Sequence, residues 1–156
     1  MIRALIETIR SLFWRPPALQ VAALCYRISS DGPEVLLVKS LDRGRWIIPK
    51  GWPMGGKSLA EAAETEAWEE AGVKGRLNPE SIGTFPYVKR QRGGLKRPCS
   101  ARVFEIEVTT LADVFPETGL RRRIWLSPAQ AAGKVDEPEL QAILRAFAER
   151  HQNSAL

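Results

Sequence analysis

The chain has 156 residues, of which 44% are hydrophobic and 26% are charged, and its formal net charge is +5. This composition suits one folded domain with a sizeable core and argues against global disorder. Two cysteines and one histidine argue against a disulfide framework, a histidine-rich zinc site and a histidine-based triad, so carboxylates must carry most of any chemistry. The positive charge favours an anionic partner.

The first predicted element is an amphipathic helix within residues 1–15, which Pro16 and Pro17 end. Glu7 and Arg10 interrupt the apolar core that a signal peptide would need, and no apolar run is long enough to span a bilayer. We expect this helix to pack on the domain or on a partner in a cytoplasmic protein, in preference to lying on a membrane surface. Its apolar residues recur at helical spacing: Ile2, Leu5, Ile6, Ile9 and Phe13.

A β-hairpin and a glycine-rich loop follow. Residues 21–27 and 34–40 have the apolar character of paired strands, and the turn signal Asp-Gly-Pro at 31–33 separates them. A short apolar run at 46–48 precedes the segment 49–56, where two prolines and three glycines predict a loop without regular structure.

A central helix is predicted over residues 59–71. Ser58 and Glu61 have the spacing of a capping box, and Gly72 is a natural C-terminal stop. The order of elements predicts an α/β fold in which a mixed sheet is covered by helices, within a single domain over residues 18–152. The remaining predicted elements are strands at 82–88, 100–109 and 122–126 and a closing helix at 136–150.

Three glutamates share one arc of the central helix. Glu66, Glu69 and Glu70 are three and four residues apart, and each like-charged pair at such spacing costs roughly 0.2–0.5 kcal/mol. A hard divalent cation would relieve this repulsion, because Mg²⁺ prefers carboxylate oxygens, water and phosphate. Taken alone, the cluster is more simply a solvated acidic face, but the loop before the helix favours a metal site. A separate stripe of the same helix consists of small residues: Ala60, Ala63, Ala67 and Ala71.

The loop and helix from Gly51 to Val73 resemble the Nudix box, whose second half reads Arg-Glu-apolar-any-Glu-Glu-any-Gly-apolar. Gly51, Glu66, Glu69, Glu70 and Gly72 fall in register with that pattern. The flanking sequence, including Trp-Ile-Ile-Pro before the box and Arg-Arg-Ile-Trp-Leu at 122–126, is similar to the diphosphoinositol or dinucleoside polyphosphate branch. The resemblance implies a Nudix-type α/β/α sandwich.

Two positions of the box depart from the family pattern. Lys57 stands where the family has its first glutamate, and Thr65 stands in place of its arginine. In the family those two side chains pair and brace the loop against the helix. Losing one partner would leave an unpaired, partly buried charge, whereas losing both avoids that cost. We therefore interpret the departures as a coordinated replacement of a structural brace, with Ser58 and Glu61 taking over part of the bracing.

The resemblance also implies roles for individual residues. Glu66 and Glu70 would be the main Mg²⁺ ligands, with Mn²⁺ as an alternative metal. Glu69 would be a third ligand or would bind through water, and the Lys50 carbonyl would be a further ligand. Glu69 and Glu70 are the candidates for activating water. Outside the box, the candidate carboxylates are Glu105, Glu107 and Glu117.

A basic segment at residues 89–97 holds five cations in nine residues. A polyphosphate would neutralise this charge, with arginine forks gripping phosphates, although a solvated basic loop explains it nearly as well. For Trp52, Phe85 and Tyr87 we expect packing in preference to base stacking. The candidate substrate-binding residues are Arg45, Lys50, Arg90, Arg92 and Lys96, with Arg43 nearby.

These observations favour an Mg²⁺-dependent pyrophosphohydrolase that cleaves a phosphoanhydride bond. Its substrate would be small and either linked to a nucleoside diphosphate or polyphosphorylated, of the dinucleoside polyphosphate or diphosphoinositol polyphosphate type. A non-catalytic Nudix-like module that binds a polyanion is the alternative, motivated by Lys57 and Thr65. A nucleic-acid-binding domain is less favoured, and it predicts binding that weakens with salt and ignores magnesium.

Overall fold

In the computed structural model, residues 1–13, 15–41 and 44–153 are described, and Arg43 lies outside them. The helices in this part of the chain are α1 (Ile2–Phe13), α2 (Leu59–Ala71), α3 (Pro128–Lys134) and α4 (Pro138–Asn153). The strands are β1 (Ala18–Ser29), β2 (Gly32–Lys39), β3 (Trp46–Ile47), β4 (Lys50–Gly51), β5 (Val73–Arg90), β6 (Lys96–Leu111) and β7 (Arg123–Leu126).

Among the described residues, β1 is the centre of a mixed seven-stranded sheet. It pairs antiparallel with β2 through the predicted hairpin and parallel with β6, giving the order β3-β2-β1-β6-β5. β4 adds to β1, and β7 adds to β2, both antiparallel. The predicted mixed sheet is therefore confirmed.

Helices cover both faces of this sheet. The alanine stripe of α2 packs on the face formed by Val21, Ala23 and Phe104, where small side chains allow a close approach. Leu140, Leu144 and Phe147 of α4, together with α3, cover the opposite face. Because period-2 alternation sends successive side chains of β1 to opposite faces, each helix layer has its own hydrophobic core. The α/β/α sandwich is confirmed.

Three elements differ from the sequence-based expectation. β5 starts at Val73 instead of residue 82, and its register shifts let a strand with polar interruptions stay paired to β6. Lys50 and Gly51, expected to be irregular, form β4 because they pair with Ala22 and Val21. α3 was not predicted, although the sequence contains its capping box, in which the Ser127 hydroxyl accepts from the Gln130 N–H.

α1 forms as predicted but does not pack on the domain. Every side chain described in this helix is exposed. One face of the sheet is covered by α2, and the other is covered by α3 and α4. Of the two expected surfaces for α1, the domain is therefore not the one it contacts, and packing on a partner stays a prediction. Within the described residues, no helix combines the length and apolar character that a membrane span requires.

Candidate active site

Both ends of α2 are fixed by local hydrogen bonds. The Ser58 hydroxyl accepts from the Glu61 N–H at 3.1 Å, and the Glu61 carboxylate accepts from the Ser58 N–H at 3.0 Å. Gly72 has a left-handed backbone with φ 69°, and its N–H donates to the Trp68 carbonyl at 3.0 Å. The predicted capping box and stop are confirmed, and they set the rotation of the helix that carries the glutamates.

Glu66 lies directly against the backbone of β4. A Cβ atom at Gly51 would overlap the Glu66 carboxyl group, so a residue with a side chain cannot occupy this position without displacing the glutamate. The pairing of Gly51 with Val21 holds that backbone in place. Gly51 is thus required by the close approach of a carboxylate, and not by an unusual φ angle.

Glu70 is 7% exposed and sits among hydrogen-bond donors and cations. Its Oε2 accepts from the Lys50 N–H at 3.4 Å, and its Oε1 lies 3.7 Å from Nη2 of Arg121. The same Arg121 nitrogen is 3.0 Å from the Glu117 carboxylate. The Glu117 N–H donates to the Glu69 carbonyl at 3.0 Å, which ties the loop before β7 to the end of α2.

The pKa values of Glu66 and Glu70 are both raised to about 7. Burial is the largest cause for each. For Glu66 the negative charges of Glu70, Glu69 and Glu117 add to the pKa rise, and Arg121 opposes it. For Glu70, Arg121 and Lys50 lower the pKa but do not offset burial. The site therefore holds carboxylates whose negative charge is poorly compensated by the protein alone.

The two residues that depart from the family pattern contact each other. The Lys57 ammonium donates to the Thr65 hydroxyl at 2.7 Å, and that hydroxyl donates to the Glu61 carbonyl at 3.0 Å. Loop and helix are therefore joined at the same two positions, by a lysine and a hydroxyl. The Ser58–Glu61 capping box stands beside this contact and fixes the first turn.

A cleft of about 180 Å³ brings the acidic helix and the basic segment together. Around it, cationic side chains lie over the faces of aromatic rings. The Lys50 ammonium lies 4.6 Å from the centre of the Tyr87 ring, and Lys89 and Arg97 each lie 5.0 Å from the Trp52 ring. The residues that line the cleft are Ser40, Leu41, Lys50, Glu70, Lys89, Arg90 and Arg121.

The other candidate substrate-binding residues are placed elsewhere. Arg45 was expected at the substrate, but its guanidinium lies 3.2 Å from Asp136 and 2.7 Å from Glu137, so it holds the start of α4. Lys96 lines a different hollow. Arg92 is exposed in the turn between β5 and β6. Of the candidates outside the box, the structure brings Lys50 and Arg90 to the cleft.

Two of the three extra carboxylates do not line this cleft and interact with groups elsewhere. Glu105 pairs with Arg150 of α4 at 3.3 Å. Glu107 lies near Tyr26, whose pKa is raised mainly by burial and further by the negative charge of Glu107. Glu117, in contrast, interacts electrostatically with both Glu66 and Glu70. Glu117 is therefore the extra carboxylate that the fold brings to the box.

Arg121 is a site residue that sequence reasoning missed, and Lys89, which belongs to the basic segment but was not a candidate substrate-binding residue, is another. Arg121 lines the cleft and approaches Glu70 and Glu117, and its buried Nε finds no hydrogen-bond acceptor among the described residues. The signal in the sequence was the run of three arginines at 121–123, two of which lie in the predicted strand at 122–126.

Arg123, the third arginine of this run, does not line the cleft. It donates to the carbonyls of Ala71 and Ala112 at 2.8 and 2.9 Å.

The carboxylates fit Mg²⁺ if a substrate completes the coordination. No group of three Asp, Glu, His or Cys side chains in the described ranges converges closely enough to hold a metal by itself. Mg²⁺ does not require such a cage, because it is usually held by one or two carboxylates together with waters and substrate phosphates. Glu66 and Glu70, with raised pKa values on adjacent turns of α2, are the two carboxylates that suit this role.

Comparison with known proteins agrees with this fold and box. Residues 18–148 match the NUDIX domain family, and the chain belongs to that family. It is 31% identical over 135 residues to Nudix hydrolase 21, chloroplastic, of Arabidopsis thaliana, covering 83% of this chain and 66% of that protein, so the chain spans slightly less than two thirds of that relative.

Solved structures share the fold at low sequence identity. A C. elegans Ap4A hydrolase binary complex superimposes with a TM-score of 0.64 at 20% identity, covering 85% of this chain and 96% of that one. The NUDIX domain of Shewanella oneidensis NrtR, complexed with ADP ribose, has a TM-score of 0.63 at 17% identity, with coverage of 92% and 97%. These similarities establish a Nudix fold for the chain.

Proposed function

We propose that the protein is an Mg²⁺-dependent pyrophosphohydrolase. The observation that carries the proposal is the position of Glu70 in a cleft lined by cations, with Glu66 one turn away on α2; the pKa values of both carboxylates are raised to about 7. A site that gathers acidic and basic groups in this way suits a metal and a phosphate chain together. Mg²⁺, when bound, supplies the positive charge that stabilises phosphate oxygens as an anhydride breaks.

The protein's own residues then have separate roles. Lys50, Lys89 and Arg90 hold the phosphate chain by charge, and the unused Nε of Arg121 offers a further donor to a phosphate oxygen. A carboxylate oxygen of Glu69 or Glu70 accepts the proton of the attacking water. The water oxygen forms the new bond to phosphorus, the bond from that phosphorus to the bridging anhydride oxygen breaks, and the second phosphate group leaves with the bridging oxygen.

We further propose a substrate with two or more linked phosphates, of the dinucleoside polyphosphate or diphosphoinositol polyphosphate type. Four cationic side chains line one small cleft, more than a single phosphate needs. Two structural neighbours are described with nucleotide compounds, one as an Ap4A hydrolase and one in complex with ADP ribose. A cytoplasmic location stays a prediction, because Nudix hydrolases 21 and 12 of Arabidopsis thaliana are named as chloroplastic and mitochondrial.

The test is phosphate release from diadenosine polyphosphates, nucleoside diphosphate derivatives and inositol pyrophosphates, with and without Mg²⁺. Glu70→Gln should reduce turnover by at least about 100-fold, because it removes a metal ligand or a base. Glu64→Gln is the matched control, since it removes the same charge from the same helix on the side away from Glu66 and Glu70. It should keep wild-type turnover.

The alternative is a polyanion-binding module without activity. It is favoured by Lys57 and Thr65, which replace the glutamate and arginine of the family pattern. It predicts tight binding of a polyphosphate without turnover of any compound in the panel. Turnover that persists in a chelator would overturn the metal dependence. Binding that depends steeply on salt and not on Mg²⁺ would instead favour nucleic acid.

A further inference from the structure

The apolar stripe of α1 has no part in the proposed activity. Its side chains lie on one face of the helix, within an arc of roughly 120° at about 100° per residue. Single exposed apolar residues are ordinary on a protein surface, but a continuous stripe marks an interaction surface. The stripe consists of Ile2, Leu5, Ile6, Ile9 and Leu12, with relative exposures between 47% and 76%.

Basic side chains border this stripe on one side. Arg3 and Arg10 are seven residues apart and therefore project from the same edge of the helix, while Ser11 lies on the face opposite Ile9. An arginine next to an apolar stripe can leave its stem among apolar groups and raise its guanidinium to a phosphate. This arrangement is typical of helices that lie in the plane of a bilayer interface.

The surface next to α1 is also positive. Arg15, just beyond the helix, lines a hollow of about 480 Å³ together with Lys96 and Arg97 of the β5–β6 hairpin. Leu95, at the tip of this hairpin, lines the same hollow and is 67% exposed. Cations and an exposed apolar side chain therefore recur on a second element that adjoins the end of α1.

We propose that α1 docks the protein on an anionic lipid bilayer, with the stripe among the acyl chains and Arg3 and Arg10 at the headgroup phosphates. A second copy of the chain fits this surface less well. A helix of twelve residues is about 18 Å long and offers a few hundred Å², whereas stable interfaces bury about 800 Å² per partner. The proposal is independent of the proposed function, because no side chain described in α1 lines the cleft.

The experiment is co-sedimentation of the full chain with vesicles of phosphatidylcholine alone or with added phosphatidylglycerol. We expect binding to the anionic vesicles and little to the neutral ones. Leu5→Ala/Ile9→Ala should weaken binding at least about 10-fold, because it removes buried apolar surface while alanine preserves the helix. Arg3→Gln/Arg10→Gln should weaken it about 30-fold, at roughly 1 kcal/mol per basic residue. Ser11→Ala is the matched control and should bind like the wild type.

Circular dichroism and hydrolysis of a soluble substrate should be unchanged in all these variants. Equal vesicle binding by wild type and Leu5→Ala/Ile9→Ala would overturn the proposal, as would the absence of binding to anionic vesicles. A concentration-dependent dimer, measured by light scattering and dissociated by Leu5→Ala/Ile9→Ala in the absence of vesicle binding, would assign the stripe to a second copy and would also overturn it.

Discussion

α1 and α2 have almost the same length, 12 and 13 residues, but they bury very different amounts of surface. α1 carries large aliphatic residues at regular helical spacing, and all its described side chains are exposed. α2 has a narrow stripe of alanines, and those alanines are almost completely buried against β1 and β6. The helix with the stronger apolar pattern is therefore the one that does not pack on the fold.

The difference shows that periodicity predicts a helix but does not identify its partner. Alanines hold α2 to the sheet because they let the helix approach closely, and a capping box and a left-handed glycine set where it begins and ends. In α1 the apolar side chains are not buried by the domain, so their burial against another surface can still stabilise a complex. The helix that carries the site glutamates is the one that packs against the sheet, and not the one with the larger apolar side chains.

The contact between Gly51 and Glu66 gives the largest expected effect. Gly51→Ala should lower turnover by about 100-fold. The new Cβ would overlap the Glu66 carboxylate and displace it, and a displacement of about 1 Å in a catalytic site is enough for a loss of that size. Gly55→Ala is the matched control, since a Cβ there meets no atom within 4 Å. Steady-state kinetics of both variants check the prediction. Equal rates for the two would show that close packing of Glu66 on β4 has no role.

Enlarging an alanine tests the contrast between the two helices directly. Ala67→Leu should reduce the free energy of unfolding by about 1–3 kcal/mol, because the buried site has no room for the added atoms. Leu5→Ala on α1 should change it by less than about 0.5 kcal/mol. Urea unfolding measures both. The contrast fails if Leu5→Ala destabilises the domain as much as Ala67→Leu does.

The pKa of Glu66 predicts an unusual pH dependence for the metal-free protein. Because folding raises this pKa from 4.5 to about 7, the folded state binds more protons than the unfolded state in that interval. Its contribution to stability is present below pH 4.5 and is lost as the pH rises through 7. After allowance for solvent screening, the loss should be on the order of 1 kcal/mol.

Urea unfolding with a chelator at pH 5 and pH 8 measures this loss. Glu66→Gln should reduce the difference between the two pH values, whereas Glu7→Gln on exposed α1 should leave it as in the wild type. Mg²⁺ should stabilise the wild type more at pH 8 than at pH 5, because it requires the ionised carboxylates. The assignment of this loss to Glu66 would be contradicted if the difference between pH 5 and pH 8 were as large in Glu66→Gln as in the wild type.

The smallest effect is expected at the loop before α2. Lys57→Ala removes the hydrogen bond to Thr65 and should cost about 0.5–1 kcal/mol in the free energy of unfolding, because Lys57 is exposed and Thr65 is only half-buried. Thermal unfolding would detect this as a shift of a few degrees. The double variant Lys57→Ala/Thr65→Ala should lose little more than Lys57→Ala alone. Additive losses would show that the two side chains act separately.

Short-range signals predicted much of this structure. The capping box at Ser58, the stop at Gly72 and the hairpin of β1 and β2 each depend on a few neighbouring residues, and all are confirmed. α3 has an equally local capping box at Ser127, which was overlooked. The early start of β5 could not be read in the same way, because its polar stretch is held by pairing with β6, distant in the chain.

The candidate site was predictable where the family pattern reaches and not beyond it. Glu66 and Glu70 follow from the box, and the structure places both beside β4. Arg121 lies outside the box, and only the folding of the loop before β7 onto α2 brings it near Glu70. Arg45 shows the reverse, since a basic residue close to the box in sequence is held by Asp136 and Glu137.

The hydrogen bond between Lys57 and Thr65 has a consequence for the conditions under which the loop stays attached to α2. A bond from an ammonium to a neutral hydroxyl contains no carboxylate that acid could protonate, and it has no opposite charge for salt to screen. Where a carboxylate–guanidinium pair would weaken in acid or in high salt, this contact keeps its donor and its acceptor. The attachment of the loop to the helix is in that respect insensitive to acidity and ionic strength.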